Sequence, residues 1–451
     1  MNSALSGRSA LFGLILSLVC LTGCPAPKGD GGNVGQGEGG GAGKRVADRG
    51  QRDVADVPAR AATAKAEDVD AAKTVLDRLG ANAKHKLLPG GVLTEIVIQD
   101  GSVLTAENIV LFGKLTDLET LQIYNFRDLN DEMASHLAGL SSLTALALTN
   151  SVINDPTVDM IAKSFPKLTD LDLSSNTNLS NSVLKVICGL TNLQRLTLAQ
   201  NNFNDLGTSH LSKLQNLRSL DLRGNMEAGD MTLEVIAALP KLTALKHRST
   251  AVSDFGMEYL AGSKTLDSLL MQDFVITGQA GQHIAKLGSL TQLEIFRCQG
   301  FTSDGVLALK GMKLSRLTLR DLPAVDDSAM EVFTDLPELK RLYLHELASV
   351  SDSGLQNLGS LKSLEVLDIW TLPQMTDATV DVIATLPNVK DLSIRTTDVT
   401  DAAVDKLLAM PQLQSLTFKE NGRVTGEGLK KLSGKKWAKL DTGSAQAGEA
   451  P

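Results

Sequence analysis

The chain is predicted to fold as an α/β solenoid of about fourteen repeats of 24 or 25 residues, a parallel β-sheet on one face and helices on the other. Three observations carry this. Leu118, Leu143, Leu168, Leu193, Leu217, Leu242, Leu266, Leu290, Leu314, Leu339 and Leu364 recur at that interval, and the series reaches back to Leu93 and forward to Val389 and Leu413. Each opens the phrase apolar-x-x-apolar-x-apolar, as in Leu168-Leu171-Leu173 and Leu217-Leu220-Leu222. A second phrase then returns in many repeats: Ile153-Asn154-Asp155, Val252-Ser253-Asp254, Val350-Ser351-Asp352 and Val399-Thr400-Asp401. A solenoid grows in one dimension, so 451 residues do not demand several globular domains.

The amino end stands apart from this rhythm. Arg8 precedes an apolar run from Ala10 to Cys20, the length of a signal-peptide core and too short to span a bilayer. It ends in Leu21-Thr22-Gly23-Cys24, which resembles the bacterial lipobox. The resemblance implies a lipoprotein signal peptide over residues 1–23, cleavage before Cys24 and lipidation of Cys24. Each buried methylene contributes about 0.8 kcal/mol, so two or three acyl chains would give lasting membrane attachment. Loss of Arg8 with the signal takes the net charge from −8 to −9, so no basic patch assists the anchor.

Residues 24–64 read as a glycine-rich disordered linker with a reach of roughly 35 Å. Residues 65–92 are expected to form the amino-terminal cap. There Val69, Ala72, Val75, Leu76 and Leu79 mark one face of a helix over 68–79, and Leu87-Leu88-Pro89-Gly90-Gly91 turns into the first strand.

Within a repeat, residues 364–388 show the design. Leu364, Leu367 and Ile369 alternate as a short strand. Thr376 reads as a helix N-cap, and Asp377 adds a carboxylate beside unpaired first-turn N–H groups. Val380, Ile383 and Leu386 then mark the helix's apolar face, and Pro387 closes the unit. Neither element buries its apolar face alone, so stacking must supply the core.

The run Asn192-Leu-Gln-Arg-Leu-Thr-Leu-Ala-Gln-Asn201 resembles a leucine-rich repeat, with Leu193, Leu196, Leu198 and Asn201 on the motif positions. The Val/Ile-Thr/Ser-Asp phrase resembles the cysteine-containing subtype known from F-box substrate receptors. The likeness covers residues 93 to 437 and implies a horseshoe with the sheet on its concave face. The family's ladder position is occupied by Asn176, Asn201, Asn225, Asn421 and Cys298. Elsewhere it holds Phe126, Ser151, Thr250, Phe274, Leu322, Leu347, Leu372 and Thr397, which predicts apolar filling over much of the arc. The solenoid is expected over 93–428, a lysine-faced closing cap over 429–440, and a disordered tail over 441–451.

No residue pattern points to catalysis. Gly35-Gln-Gly-Glu-Gly-Gly40 matches a dinucleotide fingerprint as text, but no strand precedes it and no helix follows. The histidines His85, His136, His210, His247, His283 and His345 show no metal-ligand spacing, and there is no Gly-x-Ser-x-Gly. His247 stands where other repeats carry an inward Leu222 or Ile295, as expected of a hydrogen-bonded core histidine. Cys188 and Cys298, five repeats or about 25 Å apart, are expected as inert core thiols. The chain is therefore read as no enzyme, without cofactor or metal. An acidic chain of pI about 5.4 with no basic aromatic-rich stretch argues against nucleic acid.

Function should lie between the leucines. The residue after the third apolar position forms one row, and its second half reads Phe296, Arg320, His345, Trp370, Arg395 and Lys419. The adjoining rows add Tyr343 and Asp368, then Arg316 and Arg341. Aromatic residues and arginine are what binding hot spots favour. The expected site is thus Phe296, Arg316, Arg320, Arg341, Tyr343, His345, Trp370 and Arg395, a locally basic strip suited to a carboxylate-bearing protein or a glycan. The expected function is a lipid-anchored, monomeric binding module of the cell envelope. The alternatives are an envelope scaffold without a discrete ligand and an F-box-like receptor of ubiquitin ligation.

Overall fold

The computed structural model describes residues 63–443; the expected signal peptide, Cys24 and nearly all of the linker lie outside them. Within them sixteen strands form one sheet in chain order, from Ala83–Leu88 to Lys439–Asp441. Every pair after the first is parallel and in register with the repeat, as in Leu342↔Leu367 and Leu344↔Ile369. This is the leucine-rich-repeat solenoid that the period predicts. Inward residues such as Leu342, Leu344, Leu367 and Ile369 are at most 1% exposed and pack toward the helices. The alternating residues Tyr343, His345, Asp368 and Trp370 stay half-buried on the other face of the sheet.

A polar staple joins one repeat to the next. Thr376 caps the helix Asp377–Ala384 by accepting from the Ala378 N–H. The Asp377 carboxylate was expected to serve its own first turn, and here the structure differs. Its two oxygens accept from the Thr400 N–H at 2.9 Å and the Thr400 hydroxyl at 2.5 Å, in the following repeat. The same contact links Asp155 to Ser180, Asp230 to Ser253, Asp254 to Thr277, Asp352 to Thr376 and Asp401 to Thr425. A two-donor partner across the repeat boundary outcompetes a single local N–H. The helix starts nearly touch as a result: a Cβ added at Gly354 would lie 2.6 Å from Asp327 Oδ1 and 2.8 Å from its Cα.

At or just past the end of most strands the chain turns through left-handed residues, the non-glycine ones with φ between 49° and 61°, among them Asp273, Arg297, Asp321, Glu346, Thr371 and Thr396. Each non-glycine residue there costs on the order of 1 kcal/mol. The bend lets its N–H continue the ladder, as from Glu346 to the Trp370 carbonyl at 2.8 Å.

The asparagine ladder survives in two pieces. Asn176, Asn201 and Asn225 donate to the carbonyls of Leu148, Leu173, Leu198 and Leu222, and Asn421 donates to Ile394. Ser151 and Thr397 donate to these side chains, while buried Phe126, Phe274, Leu322, Leu347 and Leu372 fill the rest. Thr250 departs from the expectation. It is exposed, and Ser249 turns inward instead to donate to the Met226 carbonyl.

Both ends also differ from the sequence reading. The helix Ala66–Leu79 is present, but the cap adds a strand, Ala83–Leu88, antiparallel to Val92–Ile98 through Gly90 and Gly91 at φ 91° and 79°. It becomes the sheet edge, and Lys84, His85 and Lys86 on it are exposed, as suits an edge that must not recruit another strand. Thr63 and Ala64, assigned to the linker, donate their N–H groups to Asp117. At the far end the closing cap holds a last strand, Lys439–Asp441, so Asp441 belongs to the sheet rather than to the tail.

The staple should be measurable. Asp352 accepts from Thr376 N, Thr376 Oγ1 and the fully buried Thr379 Oγ1, so Asp352→Ala is expected to cost about 1–3 kcal/mol in urea unfolding. Burial alone would raise the carboxyls of Asp131, Asp155 and Asp352, but their hydroxyl and amide donors outweigh it and hold all three below the usual range. Their stability contribution is full above the unfolded carboxylate pKa of about 4 and lost as pH falls through the lower folded values. Urea midpoints should therefore drop below about pH 4, and Asp352→Asn should flatten that drop.

Candidate functional site

The parallel register brings the expected row together: Gln272, Phe296, Arg320, His345, Trp370, Arg395 and Lys419 stand side by side on consecutive strands. Their side chains interlock. The Arg320 guanidinium lies 4.4 Å from the centre of the Phe296 ring and 5.3 Å from Trp370, and Arg395 covers Trp370 at 5.2 Å. His345 packs edge-on to Trp370 at 5.8 Å and to Tyr343 at 6.1 Å, and Arg316 covers Tyr343 at 4.8 Å. Seven of the eight expected site residues thus form one connected stack. Arg341 is exposed on the same strip but joins no ring contact and no ion pair among the described residues.

The charge of the strip differs from expectation. Asp368 lies beneath the stack, 3.1 Å from Arg395 Nη2 and 3.5 Å from His345 Nε2. Its burial would raise the pKa, yet the imidazole and the Arg395 guanidinium pull it below the ordinary value. Glu346 pairs with Arg320 at 3.3 Å. Glu346 and Asp273 sit on the left-handed residues, one position beyond the row chosen from the sequence. The positive charge of the strip is therefore compensated in part, at Arg320 and Arg395, while Arg316 and Arg341 stay outside any ion pair among the described residues. Arg297, on the same outer row, stacks 4.8 Å from Phe296.

Thr318 Oγ1 and Arg320 Nε are buried without a hydrogen-bond partner, and His345 Nε2 has only the Asp368 carboxylate, 3.5 Å away. Arg316 has no ion pair among the described residues, only its ring contact.

Beside Phe296 the rim opens into a cavity of about 760 Å³. Met226, Phe274, Val275 and Ile276 line it, and Arg248 and Arg297 share the Asp273 carboxylate at its lip. Loop length explains the cavity. From inward residue to the residue ahead of the staple-aspartate position, His247–Ser253 and Met271–Thr277 are one residue shorter than Leu222–Gly229 and Ile295–Thr302 on either side, so two adjacent short loops leave a notch. The sequence reading passed over it because the leucine period alone does not show the loop lengths.

His247 is fully buried in its leucine position; Nε2 contacts the Ala228 carbonyl at 2.9 Å, and the ring packs edge-on to Phe274. Cys188 and Cys298 are free and buried, and burial pushes each thiol up to about 12.

Among solved structures, the chain is similar to internalin InlF from Listeria monocytogenes, at 20% identity over 78% of this chain and 94% of that one, with a TM-score of 0.45. It is also similar to a chain of the Rad7–Elc1 complex in yeast, at 17% identity over 80% of this chain and 90% of that one, with a TM-score of 0.51. The latter likeness supports the fold alone. No family model and no curated protein matches the sequence.

The buried imidazole gives a second titration. Burial lowers the His247 pKa to about 4, against an unfolded value near 6.5. The unfolded chain then binds the extra proton between these values, so stability is full above about pH 6.5 and declines toward pH 4. His247→Gln should remove that slope from urea midpoints measured across the range.

Proposed function

We propose that the chain is a binding module that takes a protein ligand on the concave sheet face, over Phe296 to Arg395, while lipid on Cys24 holds it at the cell envelope. One observation carries the binding reading: a connected aromatic–arginine stack, from Phe296 to Arg395, on residues of the sheet that face away from the leucine core. Aromatic rings interleaved with arginines supply large, restrained contact area and planar donors, as binding hot spots do. Arg316 and Arg341, which lack ion pairs among the described residues, add affinity for ligand carboxylates. A scaffold without a ligand has no need of such a stack. The recurring Val/Ile-Thr/Ser-Asp phrase, which forms the inter-repeat staple, supports assigning the repeats to the cysteine-containing type. The anchoring reading rests on Leu21-Thr22-Gly23-Cys24 after an apolar run, and no enzymatic step is assigned to the chain.

The test is capture from an envelope extract by the chain and by a Trp370→Ala/Tyr343→Ala variant. Both positions are half-buried and outside the leucine core, so the variant should stay folded by circular dichroism. Loss of two hot-spot aromatics should weaken capture by at least about tenfold. An unchanged set of captured ligands with an intact fold overturns the binding face. Retention after deglycosylation, and loss after proteolysis, separates a protein ligand from a glycan. Mass spectrometry of the mature amino terminus is expected to find acylated Cys24; an unmodified Met1 defeats the anchor.

A further inference from the structure

The largest exposed apolar side chains lie away from the sheet face. Leu206 is 80% exposed, Phe255 70% and Met231 52%. They are the second residues of three consecutive helices, Asp205–Thr208, Asp230–Ala237 and Asp254–Leu260. The third residue of each helix, Gly207, Thr232 or Gly256, is buried against the preceding repeat. The second is thereby turned to solvent. The helix starts are also drawn close: Asp205 accepts from Thr232 N and Oγ1, and a Cβ at Gly256 would lie 3.2 Å from Asp230 Cα. Three large apolar groups on adjoining helix starts therefore form one strip. One turn on, Val235 and the 43%-exposed Tyr259 widen it.

Equivalent positions elsewhere do not continue the strip. The second helix residue is Glu132, Pro156, Ser353, Ala378 or Ala402 in other repeats. Staple geometry demands only the neighbouring aspartate and the buried third residue, so the apolar choice at 206, 231 and 255 is not required by the fold. Exposed apolar groups in a contiguous row mark contact surfaces, whereas single ones need no explanation.

Charge identifies the kind of occupant. Asp205, Asp230 and Asp254 run along the strip; their partners are hydroxyl and amide groups, and no ion pair compensates them among the described residues. Exposed Glu234 and Glu258, one turn on, likewise have no cation partner among the described residues. Lys241 nearby donates to Asn216 instead. An apolar row edged by five uncompensated carboxylates repels an acidic surface and attracts a cationic one.

We propose that Leu206, Met231 and Phe255 form a second docking surface, for a cationic amphipathic segment of a partner protein whose apolar side chains cover the row and whose lysines or arginines meet Glu234 and Glu258. The mode is an amphipathic helix laid along an apolar strip, with the charges setting orientation and encounter rate. It stands independently of the sheet-face reading.

The probe is a synthetic amphipathic helix with leucines on one face and lysines on the other, together with its glutamate counterpart, titrated against the full chain. The lysine peptide is expected to bind and the glutamate peptide not. Leu206→Ser/Phe255→Ser should weaken binding by about tenfold or more. Glu234→Lys/Glu258→Lys should do the same, and should let the glutamate peptide bind. Both variants alter exposed side chains, and an unchanged thermal midpoint verifies the fold. Trp370→Ala should bind the lysine peptide like the parent chain, which separates this surface from the sheet face. Equal peptide binding by the serine variant overturns the proposal. So does self-association in sedimentation, or adsorption to zwitterionic vesicles, that is abolished by the same serine substitutions, since either assigns the row to another occupant.

Discussion

Stacking of each repeat on its neighbour is the constraint on which the rest of the molecule depends. A strand of five residues and a helix of two turns bury nothing by themselves; Leu342 reaches zero exposure only because the flanking repeats close over it. Three sets of contacts hold that stack: the parallel strand ladder, the interleaved leucines and the aspartate staple. The last two are complementary. Apolar burial is non-directional and would tolerate sliding, whereas a carboxylate that accepts both an N–H and a hydroxyl from the next repeat fixes its position. The asparagine ladder does the same near residues 151–225; where it is absent between Phe274 and Leu372, the staple recurs at Asp327 and Asp352, while Gly278 and Ser303 interrupt it.

Because fold information is concentrated in inward positions, the core was readable from the sequence and the surface only partly so. The inward leucines and the row from Phe296 to Lys419 follow from a period of two within a strand and a constant spacing between strands. The outer row of Asp273, Arg297 and Glu346 was not readable, because it depends on a left-handed bend that any residue type occupies here, even Thr371. The edge strand Ala83–Leu88 was hidden for the opposite reason: its Lys84-His85-Lys86 centre lacks apolar alternation, and only the Pro-Gly-Gly turn hinted at a hairpin. The direction of the staple was missed because capping rules consider one helix at a time. Thr250 is exposed for a different reason: the strand Ala244–Arg248 is not followed by the left-handed residue its neighbour carries at Asp273, and Ser249 is the buried one.

The sheet-face stack shows how arginines are held in place on the face of a parallel sheet. Each guanidinium in it has one face on an aromatic ring and, for Arg320 and Arg395, an edge on a carboxylate. Such planar packing restrains long side chains before any ligand arrives, which lowers the entropy cost of binding. Asp368 is central to this arrangement, because it orients Arg395 and His345 together from beneath. The stack is thus a preorganised surface, held by ring contacts and carboxylates before anything docks on it.

The same nearest-neighbour logic separates the two candidate surfaces. Outward residues of a strand and of a helix start belong to the same repeat, yet neither determines the packing of the other, so each row can be changed without disturbing the leucines between them. The strip at Leu206, Met231 and Phe255 and the stack from Phe296 to Arg395 also fall on different repeats and carry different chemistry. One is apolar with uncompensated carboxylates; the other is aromatic and rich in arginine. A single ligand matched to both would need a cationic amphipathic part and an acceptor-rich part. Two ligands need no such coincidence, because each row meets its own chemistry without reference to the other.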